Sequence, residues 1–336
     1  MASKNTNLHN AKKAKNDEFY TQLSDIEKEM AHYKDFFKGK IVYCNCDDAR
    51  ESNFFKFFAN NFESLGLKKL ISTGFKENGK GVKLVYEGDK NNNFMVDDEE
   101  IAVTELEGNG DFRSEECVEL LKECDVVVTN PPFSLFREYV AQLMKYEKKF
   151  LIIGNTQAIT YKEIFPYIKN NELWLGCSSF NSGMYFRVPN DYEYADTYKF
   201  DRERNGDKVM RVSSICWYTN IEHSRRNTEL DLFKKYNDIE YPKYDNYDAI
   251  EVSRVENIPT DYDGVMGVPI TFLDKYCPTQ FEIVGFFNNY KPETADVENG
   301  QIYGNAVKIA STKSLFRGPV LNGKATYFRI LIRRKK

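Results

Sequence analysis

Asn130-Pro131-Pro132-Phe133 is the stretch of this chain whose residue types converge most clearly on one chemistry. Two adjacent prolines fix φ and push the preceding residue into an extended conformation, so such a loop keeps its shape without ligand. Asn130 offers a side-chain carbonyl, and the Pro131 backbone brings an acceptor without a donor. Two acceptors side by side can hold both hydrogens of an amine and aim its lone pair at an electrophile. Phe133 is placed to stack on a planar ring that carries the amine. Proline pairs also punctuate ordinary turns, and Asn-Pro is a common turn opener. The surrounding elements therefore have to decide.

They supply the right frame. The apolar run 125–129 reads as a buried parallel strand that ends at Asn130, and residues 134–139 read as a helix start. Before them, 40–44 and 69–73 read as strands one and two, with a Phe-rich helix over 53–65 and Gly66 as its cap. Residues 74–93 read as a loop carrying a hairpin around 82–86, and 101–105 as a third strand. Ser114 caps a helix over 115–122 whose first turn is acidic, as the helix dipole favours. Residues 150–154 form the fifth strand, and 183–188 and 212–218 read as strands expected to form an antiparallel edge. Alternating strands and helices predict an α/β, doubly wound, mixed but mostly parallel sheet with its sites at the strands' carboxyl ends. From about residue 221 the chain turns Tyr-, Asn-, Asp- and Pro-rich, which divides it into 1–220 and a less regular 221–336.

Three further stretches fall where a ligand beside that loop would be held. Asn45-Cys46-Asp47-Asp48 ends strand one before a helix, where backbone N–H groups and acceptors meet a ligand. The two aspartates suit a cationic amino-acid end, or else cap the next turn. Asp111-Phe112 precedes the strand at 125–129 and suits an amine on a planar ring, or else is a plain loop. Phe19-Tyr20-Thr21 closes a charged, aromatic segment that can fold back over the ligand, or else begins a helix.

Composition sets the outer limits. The 336 residues carry 22 Tyr and 25 Phe, ample for a core and for stacking surfaces. No apolar run approaches the ~20 residues of a membrane span, and the polar, basic first 15 residues show no secretory leader. Seven scattered cysteines and three histidines give neither zinc spacing nor a disulfide framework, so reduced cytoplasmic thiols and no metal centre are expected. The net charge of −4 hides a segregation: residues 84–125 hold 14 acids and 3 bases, while 299–336 hold 9 bases and no acid. A local basic surface is what phosphates meet. Lys324, Arg329, Arg333 and Arg334 are the candidate nucleic-acid contacts, on a stretch whose alternation reads as a strand.

The order of these segments carries a resemblance. An Asn-Pro-Pro-aromatic loop after a central strand is the active-site loop of amino-group methyltransferases. Phe19-Tyr20-Thr21, the strand-one loop, Gly110-Asp111-Phe112 and then Asn130-Pro131-Pro132-Phe133 follow the order of gamma-type adenine methyltransferases. Residues 15–21, 43–48, 130–136 and 264–273 most resemble the EcoRI-type adenine-specific modification methylases, over nearly the full length. The resemblance implies a Rossmann-like S-adenosylmethionine-dependent methyltransferase fold with an irregular C-terminal target-recognition region. It implies methyl transfer from S-adenosylmethionine to adenine N6 in a short sequence of double-stranded DNA, with the base flipped out. Asn130, Pro131, Pro132 and Phe133 would be the catalytic loop. Phe19, Tyr20, Thr21, Asn45, Cys46, Asp47, Asp48, Asp111 and Phe112 would hold the cofactor. The usual Gly-rich cofactor loop is absent, and no acidic residue ending strand two presents itself for the ribose. A partner endonuclease cutting the same site belongs to the same picture. An RNA base, a protein glutamine amide, cytosine N4 and a non-catalytic DNA-binding role are the rival readings.

Overall fold

The computed structural model describes residues 20–178, 180, 182–188, 200–202, 208–288, 299–309 and 315–335. The chain divides into two compact units. The first takes the chain up to Thr156 together with Gly176–Ile221, and the second takes Gln157–Leu175 with Glu222 onward. Residues 157–175, which the sequence reading placed in the first domain, thus stand with the second unit.

The first unit opens with β1 (Tyr20–Thr21) and α1 (Leu23–Met30), followed by β2 (Ile41–Cys44), α2 (Asn53–Asn60) and α3 (Phe62–Leu65). Then come β3 (Lys69–Gly74), β4 (Val82–Tyr86), β5 (Ile101–Glu105), α4 (Glu115–Glu123), β6 (Val126–Thr129), α5 (Phe136–Lys145) and β7 (Lys149–Asn155). After α6 (Phe165–Lys169) and β8 (Trp174–Leu175) of the second unit, β9 (Met184–Arg187), β10 (Phe200–Arg202), β11 (Lys208–Val212) and β12 (Ile215–Thr219) complete the first.

Its large sheet runs β5-β4-β3-β2-β6-β7-β12. The four central strands β3, β2, β6 and β7 are mutually parallel, while β4, β5 and β12 add antiparallel flanks. Parallel pairing is thus confined to the centre. There the strands are buried on both faces and read as continuous apolar runs, as parallel strands do. Two expectations change. Residues 82–86 are a full member of the sheet, not a hairpin within a loop. Of the runs 183–188 and 212–218, residues 215–219 form β12, an antiparallel edge on β7, whereas β9 pairs with β1 and, through Met184 and Val212 among others, with β11 in a separate small sheet.

Local signals explain the helices. Ser52 accepts from the Phe54 N–H at 3.2 Å to start α2, and Gly66 ends α3 at φ 61°. Ser114 accepts from Cys117 N at 3.3 Å to start α4. The Phe-rich face of α2 is buried: Phe58 meets Phe37 edge-on at 5.1 Å, and Phe54 meets Trp217 at 6.1 Å. Each such side chain contributes about 1.5–3 kcal/mol of burial. The fully buried Glu29 of α1 accepts Cys177 N and Ser178 N, both at 2.7 Å, and so latches α1 to the strand-bearing segment that follows Gly176.

The second unit holds a sheet of β13 (Ile250–Glu251), β14 (Met266–Val268), β15 (Phe281–Phe287), β16 (Gln301–Ile302) and β19 (Arg329–Arg334), in the order β13-β14-β19-β15-β16. A separate ribbon pairs β17 (Val320–Leu321) with β18 (Lys324–Ala325). The basic C-terminal stretch is a strand, as its alternation predicts. It lies at the centre of the sheet, however, with Ile330, Leu331 and Ile332 all fully buried.

Candidate active site

The site is built where the strand order turns. β2 is flanked by β3, which follows it in sequence, and by β6, which comes much later, so the chain leaves β2 and β6 on opposite courses. The carboxyl ends on either side of such a switch point open a crevice for a ligand. Asn45-Cys46-Asp47-Asp48 follows β2, and Asn130-Pro131-Pro132-Phe133 follows β6.

Asn45 ties the two loops together. It is 4% exposed; its main-chain carbonyl accepts from the Thr129 hydroxyl, and its side-chain carbonyl accepts from the Tyr139 hydroxyl. Thr129 ends β6 and Tyr139 lies in α5, so the strand before the Asn-Pro-Pro-Phe loop and the helix after it both grip the same residue. Tyr139 also meets Phe112 edge-on at 4.9 Å, and Gln142 of the same helix donates to the Phe112 carbonyl at 3.1 Å. Three segments separate in sequence thereby share one anchor.

Within the first loop, Cys46 adopts φ 69°, a left-handed turn that brings the chain sharply off the strand. Asp48 is exposed and accepts from Arg50 N at 2.9 Å and Glu51 N at 3.0 Å. One of its oxygens is committed to the turn, which is the capping role weighed against a ligand role. Asp47 is half-buried with its Oδ2 fully enclosed. Close approach of neighbouring backbones depends on Gly110, at φ 81°: a Cβ there would run into the Gly74 carbonyl that ends β3.

Asp111 and Phe112 differ from expectation. Phe112 is 5% exposed, packed rather than presented, and Asp111 is held by Arg113 through contacts of 2.7 and 2.9 Å. Arg113 reaches on to Glu138 of α5 at 3.1 Å. Its guanidinium holds the Asp111 carboxyl below the usual carboxylate range. Tyr20 and Thr21 form β1, and Asn53 at the start of α2 donates to the Thr21 carbonyl at 2.7 Å. That joins β1 to the helix that follows the Asn45–Asp48 loop. The Thr21 hydroxyl is buried with no hydrogen-bond partner among the described residues. Phe19 lies outside the described residues.

In the Asn-Pro-Pro-Phe loop itself, Pro131 is buried, Pro132 exposed and Asn130 half-buried with its side-chain oxygen enclosed. Phe133 starts a short 3-10 turn and leans on the core cluster of this unit. Burial pushes the Cys46 thiol and the Tyr139 hydroxyl well up, so both stay protonated at neutral pH and neither is a nucleophile or base. Among the described residues no group of three His, Cys, Asp or Glu is placed to hold a metal, and no helix is long and apolar enough to cross a membrane.

The candidate DNA contacts fall in the second unit. Lys324 is exposed, and Arg333 is half-exposed and paired with Glu282 at 2.8 Å. Arg334 is half-buried with its Nε enclosed. Arg329 is a correction: its guanidinium makes contacts of 2.5 and 3.1 Å with Glu251, with side-chain exposures of 12% and 9%. It is a buried structural ion pair, not a surface cation.

Tyr139 was not singled out from sequence. It falls with Phe136, Val140 and Leu143 on the buried face of α5, so its spacing reads as core. We expect Tyr139→Phe to weaken cofactor affinity about 5- to 10-fold, the loss of one buried hydrogen bond, with kcat changed less. Isothermal titration and steady-state kinetics check this; an unchanged KM for the methyl donor with a collapsed kcat would show that Tyr139 does not position the Asn45 loop.

Comparison with known proteins agrees with this geometry. The adenine-specific methyltransferase EcoRI family matches residues 7–335. The chain is 46% identical over 349 aligned positions to the type II methyltransferase M.EcoRI of Escherichia coli, covering 100% of this chain and 99% of that protein. It is 40% identical to M.MgeORF184P of Mycoplasma genitalium, with 98% and 99% covered, and 38% identical to M.MpnI of Mycoplasma pneumoniae, with 98% of each. A strand-delivered Asn-Pro-Pro-Phe loop clamped to the loop after β2, in a chain matched from end to end, has one reading: the protein belongs to the EcoRI family of adenine-specific methyltransferases.

Proposed function

We propose that this enzyme transfers a methyl group from S-adenosylmethionine to N6 of an adenine flipped out of duplex DNA. The observation that carries the reading is the placement of Asn130-Pro131-Pro132-Phe133 at the carboxyl end of β6, beside the Asn45 loop at the switch point. Bound S-adenosylmethionine supplies an electrophilic methyl group on its sulfonium. Thr21, with its enclosed hydroxyl, and Asn45, Cys46 and Asp47 around the β2 end are the residues that fit its amino-acid and ribose portions. Tyr20 and Asp111 complete that cradle, Asp111 by exchanging its Arg113 contact for the ligand, while Phe112 packs behind it against Tyr139.

Asn130 Oδ1 and the Pro131 carbonyl accept the two amine hydrogens and hold the nitrogen lone pair outward. As nitrogen turns cationic, the same oxygens stabilise its charge, and its proton leaves to water afterwards. No acid or base residue is needed, because positioning and fixed acceptors do the work. Phe133 stacks on the flipped base, and Pro132 keeps the loop in one shape. The second unit reads the sequence, with Lys324, Arg333 and Arg334 meeting phosphates or base edges. The enzyme acts in the cytoplasm, protecting DNA alongside an endonuclease that recognises the same site.

The test is expression in a bacterial host free of adenine methylases, followed by methylation-sensitive sequencing. N6-methyladenine at one short sequence is the expected result. Tritium transfer from the labelled methyl donor to RNA or protein but not to DNA overturns it, as does N4-methylcytosine as the product.

A further inference from the structure

Arg226, in the second unit, is a buried cation short of partners. It lies in the short turn Ser224–Asn227, yet its side chain is only 6% exposed. The guanidinium sits 3.7 Å from the centre of the Trp174 ring, in β8 of the same unit. Stacking on indole holds a guanidinium in one plane and shields it from water. Its nitrogens are poorly supplied. Nε meets Glu222 at 3.4 Å, and Nη2 donates to the Asn171 side-chain carbonyl at 3.3 Å. Among the described residues no acceptor meets Nη1, so two of the five N–H groups of the fork are engaged. Glu222 is itself 62% exposed, and water screens much of its charge.

The guanidinium borders a cleft of about 250 Å³, its open mouth included, whose lining also holds His223, Arg225, Asp274 and Tyr276. Asp274, the carboxylate of that wall, is taken by Arg225 at 2.8 Å. His223 is engaged with the Leu175 carbonyl at 3.0 Å. Tyr276 is 6% exposed, and its hydroxyl is enclosed without a well-formed hydrogen bond. Burial raises that hydroxyl, so it stays protonated and keeps a proton to donate. Burial also pulls Arg226 below the usual range of a guanidinium, so the Glu222 charge does not offset its loss of water. A buried cation short of counter-charge is costly, and an anion in the cleft relieves it.

We propose that this cleft binds a backbone phosphate of the DNA substrate, with Arg226 as the charged contact and the Tyr276 hydroxyl as a second donor. The assignment rests on the DNA-binding role proposed above for the second unit. A guanidinium fork matches two phosphate oxygens at once, and its plane is already fixed by Trp174. A base is the poorer occupant, because the guanidinium covers the indole face that would stack on one. Such a contact anchors the duplex without reading its sequence.

The experiment measures binding of the full-length protein, by fluorescence anisotropy, to a duplex carrying its methylation site and to a scrambled duplex. The salt range runs from about 50 to 200 mM KCl. Arg226→Gln should weaken both duplexes alike, by about 10- to 100-fold. It should also lower the slope of log affinity against log salt by about one. Tyr276→Phe, which keeps the ring in place, should weaken both by about 3- to 10-fold with the slope unchanged. An unchanged slope in a folded Arg226→Gln overturns the assignment, whether or not its melting temperature falls. A loss confined to the site-bearing duplex marks a base contact and does the same. Inorganic phosphate that binds wild type but not Arg226→Gln, with DNA affinity unaltered, gives the cleft to a free anion and overturns it too. Should Arg226→Gln not fold, Tyr276→Phe decides alone, and wild-type affinity there is a negative answer. A wild-type protein that binds neither duplex removes the DNA-binding role itself, which keeps the two failures apart.

Discussion

Asn130→Ala lowers kcat by about 100- to 1,000-fold, the cost of removing one fixed group that stabilises charge in the transition state. The dissociation constant for S-adenosylmethionine should stay within about threefold, since Asn130 contributes to the transition state rather than to ground-state cofactor binding. The reason is geometric. β6 is buried along its length, and two prolines follow Asn130, so its backbone stays in place when its side chain is cut. What is lost, on the proposed mechanism, is the acceptor for the amine. Single-turnover methylation of a DNA duplex, with cofactor binding measured by calorimetry, separates the two effects. A near wild-type rate removes Asn130 from catalysis, and a collapse of cofactor affinity makes it a structural residue of the cofactor loop.

Arg329→Met destabilises the protein by about 3–5 kcal/mol, the penalty for leaving one member of a buried ion pair without its partner. Glu251 faces three contacts from the guanidinium and also takes the Tyr244 hydroxyl, so the remaining carboxylate has no solvent to fall back on. The pair lies among β13 and β19, where Leu331 and Phe287 pack with Tyr244. Urea unfolding of the single variant and of Arg329→Met with Glu251→Met gives the answer. The double variant should recover most of the loss, because two apolar side chains carry no desolvation cost. A single variant with wild-type stability and weakened DNA affinity restores Arg329 to the DNA surface.

The legible parts of this protein were those set by short stretches of chain. Ser114 starts a helix because its hydroxyl can reach the N–H three residues ahead, and Gly66 ends one because it accepts φ 61° without strain. The run ending in Thr129 reads as a buried strand from composition alone, and the Asn-Pro-Pro-Phe loop after it reads as rigid from its prolines. Strand partners were not legible. Residues 82–86 read as a local hairpin, while β4 pairs on both sides, with β3 and with β5. Likewise β9 and β12 are similar in composition, yet one joins β1 and the other β7. Pairing is decided by which edges remain open after the rest of the sheet assembles, and no local pattern carries that.

The same divide runs through the site. Residue types and their order set the chemistry on offer: two amine acceptors held stiff by prolines, an aromatic beside them, and acidic and aromatic segments in a fixed order before them. Tertiary structure alone decided how these meet. Tyr139 reads as one more core residue of α5 until the fold brings Asn45, 94 residues away, under its hydroxyl. Arg329 reads as a surface cation until Glu251, 78 residues away, takes it out of solvent. Residue type sets what a side chain can donate, accept or bury; distance in space, which chain order does not encode, sets which of those capacities is used.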